Sequence, residues 1–238
     1  MPNNYFQFKQ FTIHQANNAM KVCTDSCIFG AWLASQFQNK QISNVLDVGT
    51  GTGLLSLQFS QKNNALIDAV EIDSIAANEA KTNVAASPFD KQIQVIEADI
   101  KDFTSNKKYD LIFTNPPFYE NDLPSANPKK LRAHHHSHLT IQSLFQSVEN
   151  VATEKTFLAL LIPYKRTLEI VQLAEQFNWQ LQEQVAVKNF IHQSPIRTML
   201  LLGKQKLIPK NAEFIIYDSP KIYSAAFIAL LKDYYLYL

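Results

Sequence analysis

Apolar positions recur along the chain in two rhythms. Compact runs rich in Val, Ile, Leu and Phe occupy residues 44–49, 66–72, 93–97, 109–114 and 156–162. The stretches between most of them space their apolar residues three and four apart. Short apolar runs alternating with helical stretches predict an α/β fold, with a largely parallel sheet covered by helices on both faces. Two further runs, 182–187 and 197–202, are separated by a segment with no room for a helix. They predict an antiparallel hairpin at the sheet's end, which makes seven strands with the last antiparallel. Ahead of the first run, residues 5–14 alternate loosely and suit a strand or hairpin arm. Thr24-Asp25 then precedes an apolar face at helical spacing, Cys27 to Ala34, as its N-cap. The expected organisation is a single domain, with residues 1–40 as an arm and helix packed on a core of residues 41–238.

Two strand ends carry the chemistry. The run Asp110-Leu111-Ile112-Phe113-Thr114 stops at Asn115-Pro116-Pro117-Phe118. Each proline fixes φ and lacks an N–H, so the segment continues neither as a sheet strand nor into a helix. It holds an amide and nearby carbonyls beside an aromatic ring. A flat, amino-bearing group fits there, its face on the ring and its N–H groups toward the oxygens, and a nucleobase is such a group. The other strand end is Val45-Leu46-Asp47-Val48-Gly49-Thr50-Gly51-Thr52-Gly53, followed by the helical pattern from Leu54. Its glycines permit a tight turn and close backbone approach to a ligand. The third glycine comes one residue earlier than in the dinucleotide fingerprint, and an aspartate precedes the first. An acid there disfavours a pyrophosphate and suits a ligand with a cationic end.

Glu71 ends the next apolar run, eighteen residues after Gly53, where an acid suits ribose hydroxyls. Asp99 closes a third run, placed to meet an adenine amino group. Taken in order on successive strands, these residues describe a positively charged, adenosine-bearing cofactor, S-adenosylmethionine.

The 238 residues suffice for one well-buried α/β domain, and a net charge of +1 restricts any polyanion binding to a local basic face. Cys23 and Cys27 lie four apart without histidines at zinc spacing, which predicts free, mostly buried thiols and no metal. Neither a signal peptide nor an apolar run of membrane-span length is evident, so a cytoplasmic protein is expected. Residues 119–138 lack periodicity and hold Lys129, Lys130, Arg132 and the cluster His134-His135-His136-Ser137-His138. We read this stretch as a solvated loop ordered by a polyanion rather than as a metal site, with its basic residues placed to touch phosphates.

The glycine motif from Asp47 and the Asn115–Phe118 tetrapeptide resemble class I methyltransferases that modify amino groups of bases or of glutamine. Phe8-Lys9-Gln10-Phe11, Ala19-Met20-Lys21-Val22, Thr24-Asp25 and Gly30-Ala31-Trp32 narrow the resemblance to the bacterial tRNA1(Val) (adenine(37)-N6)-methyltransferase family. Ser87-Pro88-Phe89, Pro195-Ile196-Arg197 and the segments 223–225 and 232–236 add to it. Cys23 stands where that family suggests glycine, and Phe118 where tyrosine is common; phenylalanine keeps the stacking face. Phenylalanine there is shared with guanine-N2 methyltransferases of ribosomal RNA.

The resemblance implies a Rossmann-like enzyme that takes S-adenosylmethionine as cofactor and the anticodon loop of a tRNA as partner, with a monomer favoured. It implies catalysis by Asn115, Pro116, Pro117 and Phe118. Cofactor contacts fall to Thr24, Asp47, Gly49, Gly51, Gly53, Glu71, Ile72, Asp99, Ile100 and Asn115. Substrate contacts fall to Phe118, Tyr119, Lys129, Lys130, Arg132 and Arg197. A glutamine-N5 protein methyltransferase would share both core motifs, but with a separate recognition domain ahead of the catalytic one. A non-catalytic cofactor-binding module has no use for the Asn-Pro-Pro-Phe element.

Overall fold

The computed structural model describes residues 3–17, 21–116 and 139–238. Its centre is a sheet built from β3 (Asn44–Val48), β4 (Leu66–Glu71), β5 (Ile93–Glu97), β6 (Leu111–Thr114), β7 (Phe157–Pro163), β8 (Gln180–Lys188), β9 (Arg197–Gly203) and β10 (Lys210–Ile215). The spatial order is β10-β8-β9-β7-β6-β3-β4-β5, and β9 alone runs antiparallel to its neighbours. The mostly parallel sheet expected from the apolar runs is present, and β8 and β9 form the expected antiparallel pair. Outside β8, however, the sheet gains an eighth strand, β10, paired parallel.

Alternation along the strands sorts side chains onto two faces. On β3, Val45 joins one core cluster and Leu46 the other; on β7, Ala159 and Leu161 oppose Leu158, Leu160 and Ile162. Helices α1 (Thr24–Phe37), α2 (Leu54–Ser60) and α6 (Ala225–Leu231) cover the first face, and α4 (Ile141–Glu149) and α5 (Thr167–Gln176) the second. Helix α3 (Ser74–Ala85) connects β4 to β5. It starts on a true side-chain cap, Asp73 accepting from the Ala76 N–H at 2.8 Å. Helix α1 does not: its N-cap is Cys23, without a side-chain bond, and Thr24 is already helical. The Thr24-Asp25 cap expected from the sequence is therefore displaced by one residue.

The N-terminal arm is a hairpin of β1 (Tyr5–Gln7) and β2 (Thr12–His14). Its Phe8, Phe11 and Ile13 are buried in the same core as Phe227, Leu231 and Tyr234 near the other end of the chain. Backbone pairing joins the two segments directly, Phe8 bridging Tyr235 and the Lys9 N–H donating to the Tyr234 carbonyl at 2.8 Å. The apolar C-terminal segment thus covers the core. Among the described residues no helix is long and apolar enough to cross a membrane.

Candidate functional site

Strand order reverses between β3 and β6: from β3 the chain steps outward through β4 and β5, then returns to β6 on the other side. Ligands in open α/β sheets bind beyond the carboxyl ends of the strands at such a point. The turn Gly49–Gly53 follows β3, and Asn115 follows β6, so the two motifs read from the sequence meet there. Gly49, Gly51 and Gly53 have φ of 70°, 58° and 84°, a region that penalises side chains. Gly49, Gly51, Val22, Ser26, Leu55 and Asn115 are among the residues lining a single open cavity.

Asp47 lies beneath this turn, fully buried. Its Oδ2 accepts from the hydroxyls of Thr50 and Ser56, each at 2.7 Å, while Oδ1 has no partner among the described residues. Burial pushes its carboxyl up to about 6 despite those two hydrogen bonds. Glu71, at the end of β4, accepts the Gly51 N–H at 2.8 Å on one oxygen and the Asp73 N–H at 3.0 Å on the other. The carboxylate anticipated as a ligand contact therefore also fixes the turn. Asn83 of α3, read in no sequence motif, donates to the Thr52 carbonyl at 2.9 Å and ties the same turn to the arm.

Around Asn115 a second set of bonds converges. Its Nδ2 donates to Ser26 Oγ at 2.9 Å, and Ser26 Oγ lies 3.0 Å from Cys23 Sγ. Burial, with the neighbouring Asp25, holds the Cys23 thiol up at about 11, so it is protonated at neutral pH. Burial lifts Cys27 to about 12, and both cysteines are free. Thr114 Oγ1 donates to the Val48 carbonyl at 2.7 Å and stitches the ends of β6 and β3 together.

The remaining anticipated residues divide. Ile72 is 55% exposed beside Glu71 and offers an apolar platform, whereas Ile100 is buried in the core. Asp99 is half-buried and paired with Lys101 at 3.1 Å. Thr24 is half-buried and not part of the cavity wall, a place taken by Ser26 two residues on. Arg197, expected at the substrate, forms an ion pair with Asp25 at 2.8 Å. Pro116 is buried. Pro117, Phe118, Tyr119, Lys129, Lys130, Arg132 and the histidines 134–136 and 138 lie outside the described residues. Among the described residues no group of three or more His, Cys, Asp or Glu is arranged for a metal ion.

Ser26, Thr50, Ser56 and Asn83 escaped the sequence reading. Thr50 and Ser56 sit within and just after the glycine motif, where a hydroxyl three or nine residues beyond the aspartate is the only available signal. Ser26 and Asn83 leave none, since their partners are 89 and 31 residues away.

Comparison with known proteins bears on this geometry. Residues 28–128 match the family model "Methyltransferase small domain". A tRNA1(Val) (adenine(37)-N6)-methyltransferase of Cytophaga hutchinsonii is 38% identical over the whole of both chains. Its namesake in Pectobacterium carotovorum is 34% identical over 98% of this chain and 94% of its own. Among solved structures, a predicted O-methyltransferase of Agrobacterium tumefaciens superposes with a TM-score of 0.64 at 14% identity, covering 86% of this chain and 95% of that one. A glycopeptide N-methyltransferase in complex with (S)-adenosyl-L-methionine gives 0.54 at 10% identity, covering 74% and 94%.

Proposed function

The chain belongs to the tRNA1(Val) (adenine(37)-N6)-methyltransferase family, and from that premise we propose that it transfers a methyl group from S-adenosylmethionine to N6 of an adenine beside a tRNA anticodon. The observation that carries this reading is the meeting of Asn115 and the glycine turn at one cavity. A methyl donor held by the turn and an amine held by Asn115 would face each other there.

The residues fit the cofactor. The left-handed glycines leave backbone, not side chain, toward the cavity, and the orphaned Asp47 Oδ1 supplies negative charge suited to a cationic methionine end. In this reading Asp47 and the turn seat that end and Glu71 holds the ribose. Asp99 meets the adenine, whose face the exposed Ile72 flanks, with Ile100 supporting that region from the core beneath. Thr24 belongs to the segment closing over the cofactor. The bound cofactor supplies a methyl group on a sulfonium, an electrophile with a neutral leaving group.

The protein's part is positioning. The target amine is a poor nucleophile because its lone pair is delocalised into the ring. Asn115 Oδ1 and the Pro116 carbonyl accept its two N–H groups, which draws the lone pair out of the ring and aims it along the transfer axis. Phe118, with Pro117 fixing its approach, stacks on the base, a contact worth about 1–3 kcal/mol. Orientation of two reactants supplies on the order of 7–11 kcal/mol of barrier reduction. No dedicated base is required, because the amine's proton becomes acidic once the nitrogen carries the methyl group and then leaves to solvent. Tyr119, Lys129, Lys130, Arg132 and Arg197 serve the RNA, Arg197 after exchanging Asp25 for a phosphate. An extruded anticodon-loop purine costs less to reach than a base in a duplex. A tRNA substrate goes with a cytoplasmic location, and we take the chain as a monomer of one domain, its first 40 residues serving the core that follows.

The test is mass spectrometry of nucleosides after incubation of the purified protein with S-adenosylmethionine and total tRNA from a strain lacking the activity. A gain in N6-methyladenosine is expected. N2-methylguanosine in its place would overturn the base assignment and keep the cofactor.

A further inference from the structure

Asn115 is useful to an amine only if its carboxamide points the right way round. The side-chain amide has an acceptor end and a donor end of nearly equal size, and a half-turn about the terminal bond exchanges them. If Nδ2 faced the target, two donors would confront each other and the amine would not be held.

In the structure the donor end of the amide faces helix α1. Its Nδ2 lies 2.9 Å from Ser26 Oγ, and an amide nitrogen only donates, so the hydroxyl accepts. Ser26 is 6% exposed and belongs to the first turn of α1, where its N–H bonds Asp25 Oδ1 at 3.1 Å. Its Oγ also lies 3.0 Å from Cys23 Sγ, an acceptor within reach of the hydroxyl proton; with the proton given to that sulfur, the oxygen is left to accept from Asn115. Helix α1 in turn is packed against α2 and the sheet face beneath it, a rigid support.

We propose that Ser26 is a positioning residue for methyl transfer: its hydroxyl holds Asn115 Nδ2 and so presents Oδ1 to the target amine. The inference rests on the role given to Asn115 above and names the group that makes the role possible. Ser26 acts through Asn115, and its contribution belongs to the transfer step rather than to substrate capture.

The experiment compares full-length wild type, Ser26→Ala and Ser26→Thr with tRNA and S-adenosylmethionine, reading N6-methyladenosine formed per enzyme and following thermal unfolding in parallel. Ser26→Ala should lower kcat about tenfold, the size expected for one lost hydrogen bond near the reacting atoms. KM for both substrates and Tm should stay close to wild type, and Ser26→Thr, which restores the oxygen, should recover most of the rate. The proposal is overturned if Ser26→Ala turns over within about twofold of wild type, if its loss lies in KM or Tm alone, or if threonine does not rescue it. A wild-type protein that forms no N6-methyladenosine would instead overturn the functional reading, and this inference with it.

Discussion

Asn83 holds both backbone groups of His14. Its Oδ1 accepts the His14 N–H at 2.9 Å and its Nδ2 donates to the His14 carbonyl at 2.9 Å, as a neighbouring strand would. The same Nδ2 reaches the Thr52 carbonyl, so one fully buried amide joins the N-terminal arm to the glycine turn. Asn83→Ala leaves three backbone groups without their partner. The expected loss is about 2–3 kcal/mol of stability, with weaker S-adenosylmethionine binding. Urea unfolding and calorimetric titration check it, and unchanged values in both would remove the bracket from the account.

Asn115→Ala should cut turnover by about 10²–10³-fold, comparable to deleting a preorganised transition-state contact elsewhere. Cofactor affinity should stay near wild type, because the glycine turn and its supports are untouched. Single-turnover kinetics and equilibrium binding separate the two effects. Loss of cofactor binding as well would reassign Asn115 from the amine to the cofactor.

The raised carboxyl of Asp47 has a signed consequence for stability. A carboxyl whose folded value is raised to about 6 favours the protonated form. Its contribution is fully present below the unfolded value near 4 and is lost as pH rises through about 6. Across that window the unfolding free energy of wild type should fall by about 2–3 kcal/mol relative to Asp47→Asn, which does not titrate. The measurement is made without cofactor, since a bound cation would favour the ionised form. A difference independent of pH from 4 to 7 would contradict the burial argument.

Gly30 is required by packing rather than by backbone angle. A Cβ there would stand 2.2 Å from Gln58 Oε1 and 2.9 Å from its Cδ. Gln58 is fully buried, with Nε2 donating to the Cys27 carbonyl at 3.1 Å, so it cannot step aside without giving up that bond. Gly30→Ala should cost about 2 kcal/mol, a Tm lower by roughly 4–8 °C for a chain of this size. A thermal melt suffices, and an unchanged midpoint would mean that α1 and α2 separate freely.

What was legible in the sequence was what the backbone itself dictates. Glycines at positive φ and prolines without an N–H announce their conformation locally, so the turn after β3 and the stop after β6 could be found and paired. Strand β10 was not legible because it is an edge: Lys210 to Glu213 all face solvent, and no apolar run marks them. The ion pair of Arg197 with Asp25 was not legible either, because 172 residues separate the two and an ion pair over that distance leaves no pattern. Ser26 and Asn83 were invisible for the same reason. The groups that hold the reactive side chains in place are chosen by tertiary distance, and only the reactive side chains themselves sit in motifs.

The pairing of Phe8 and Lys9 with Tyr235 and Tyr234 has a consequence for how the protein is made. The arm leaves the ribosome well before the strand-like partner that pairs with it, which follows more than two hundred residues later. Until then Phe6, Phe8 and Phe11 have no complete core to enter, and Gln15, which accepts the Val22 N–H at 2.7 Å, has no fixed arm to hold the cavity wall from. The nascent chain therefore holds the arm through Asn83 and Phe89 until its C-terminal partner is made, and its aromatic face stays only partly covered until then, a natural target for chaperones.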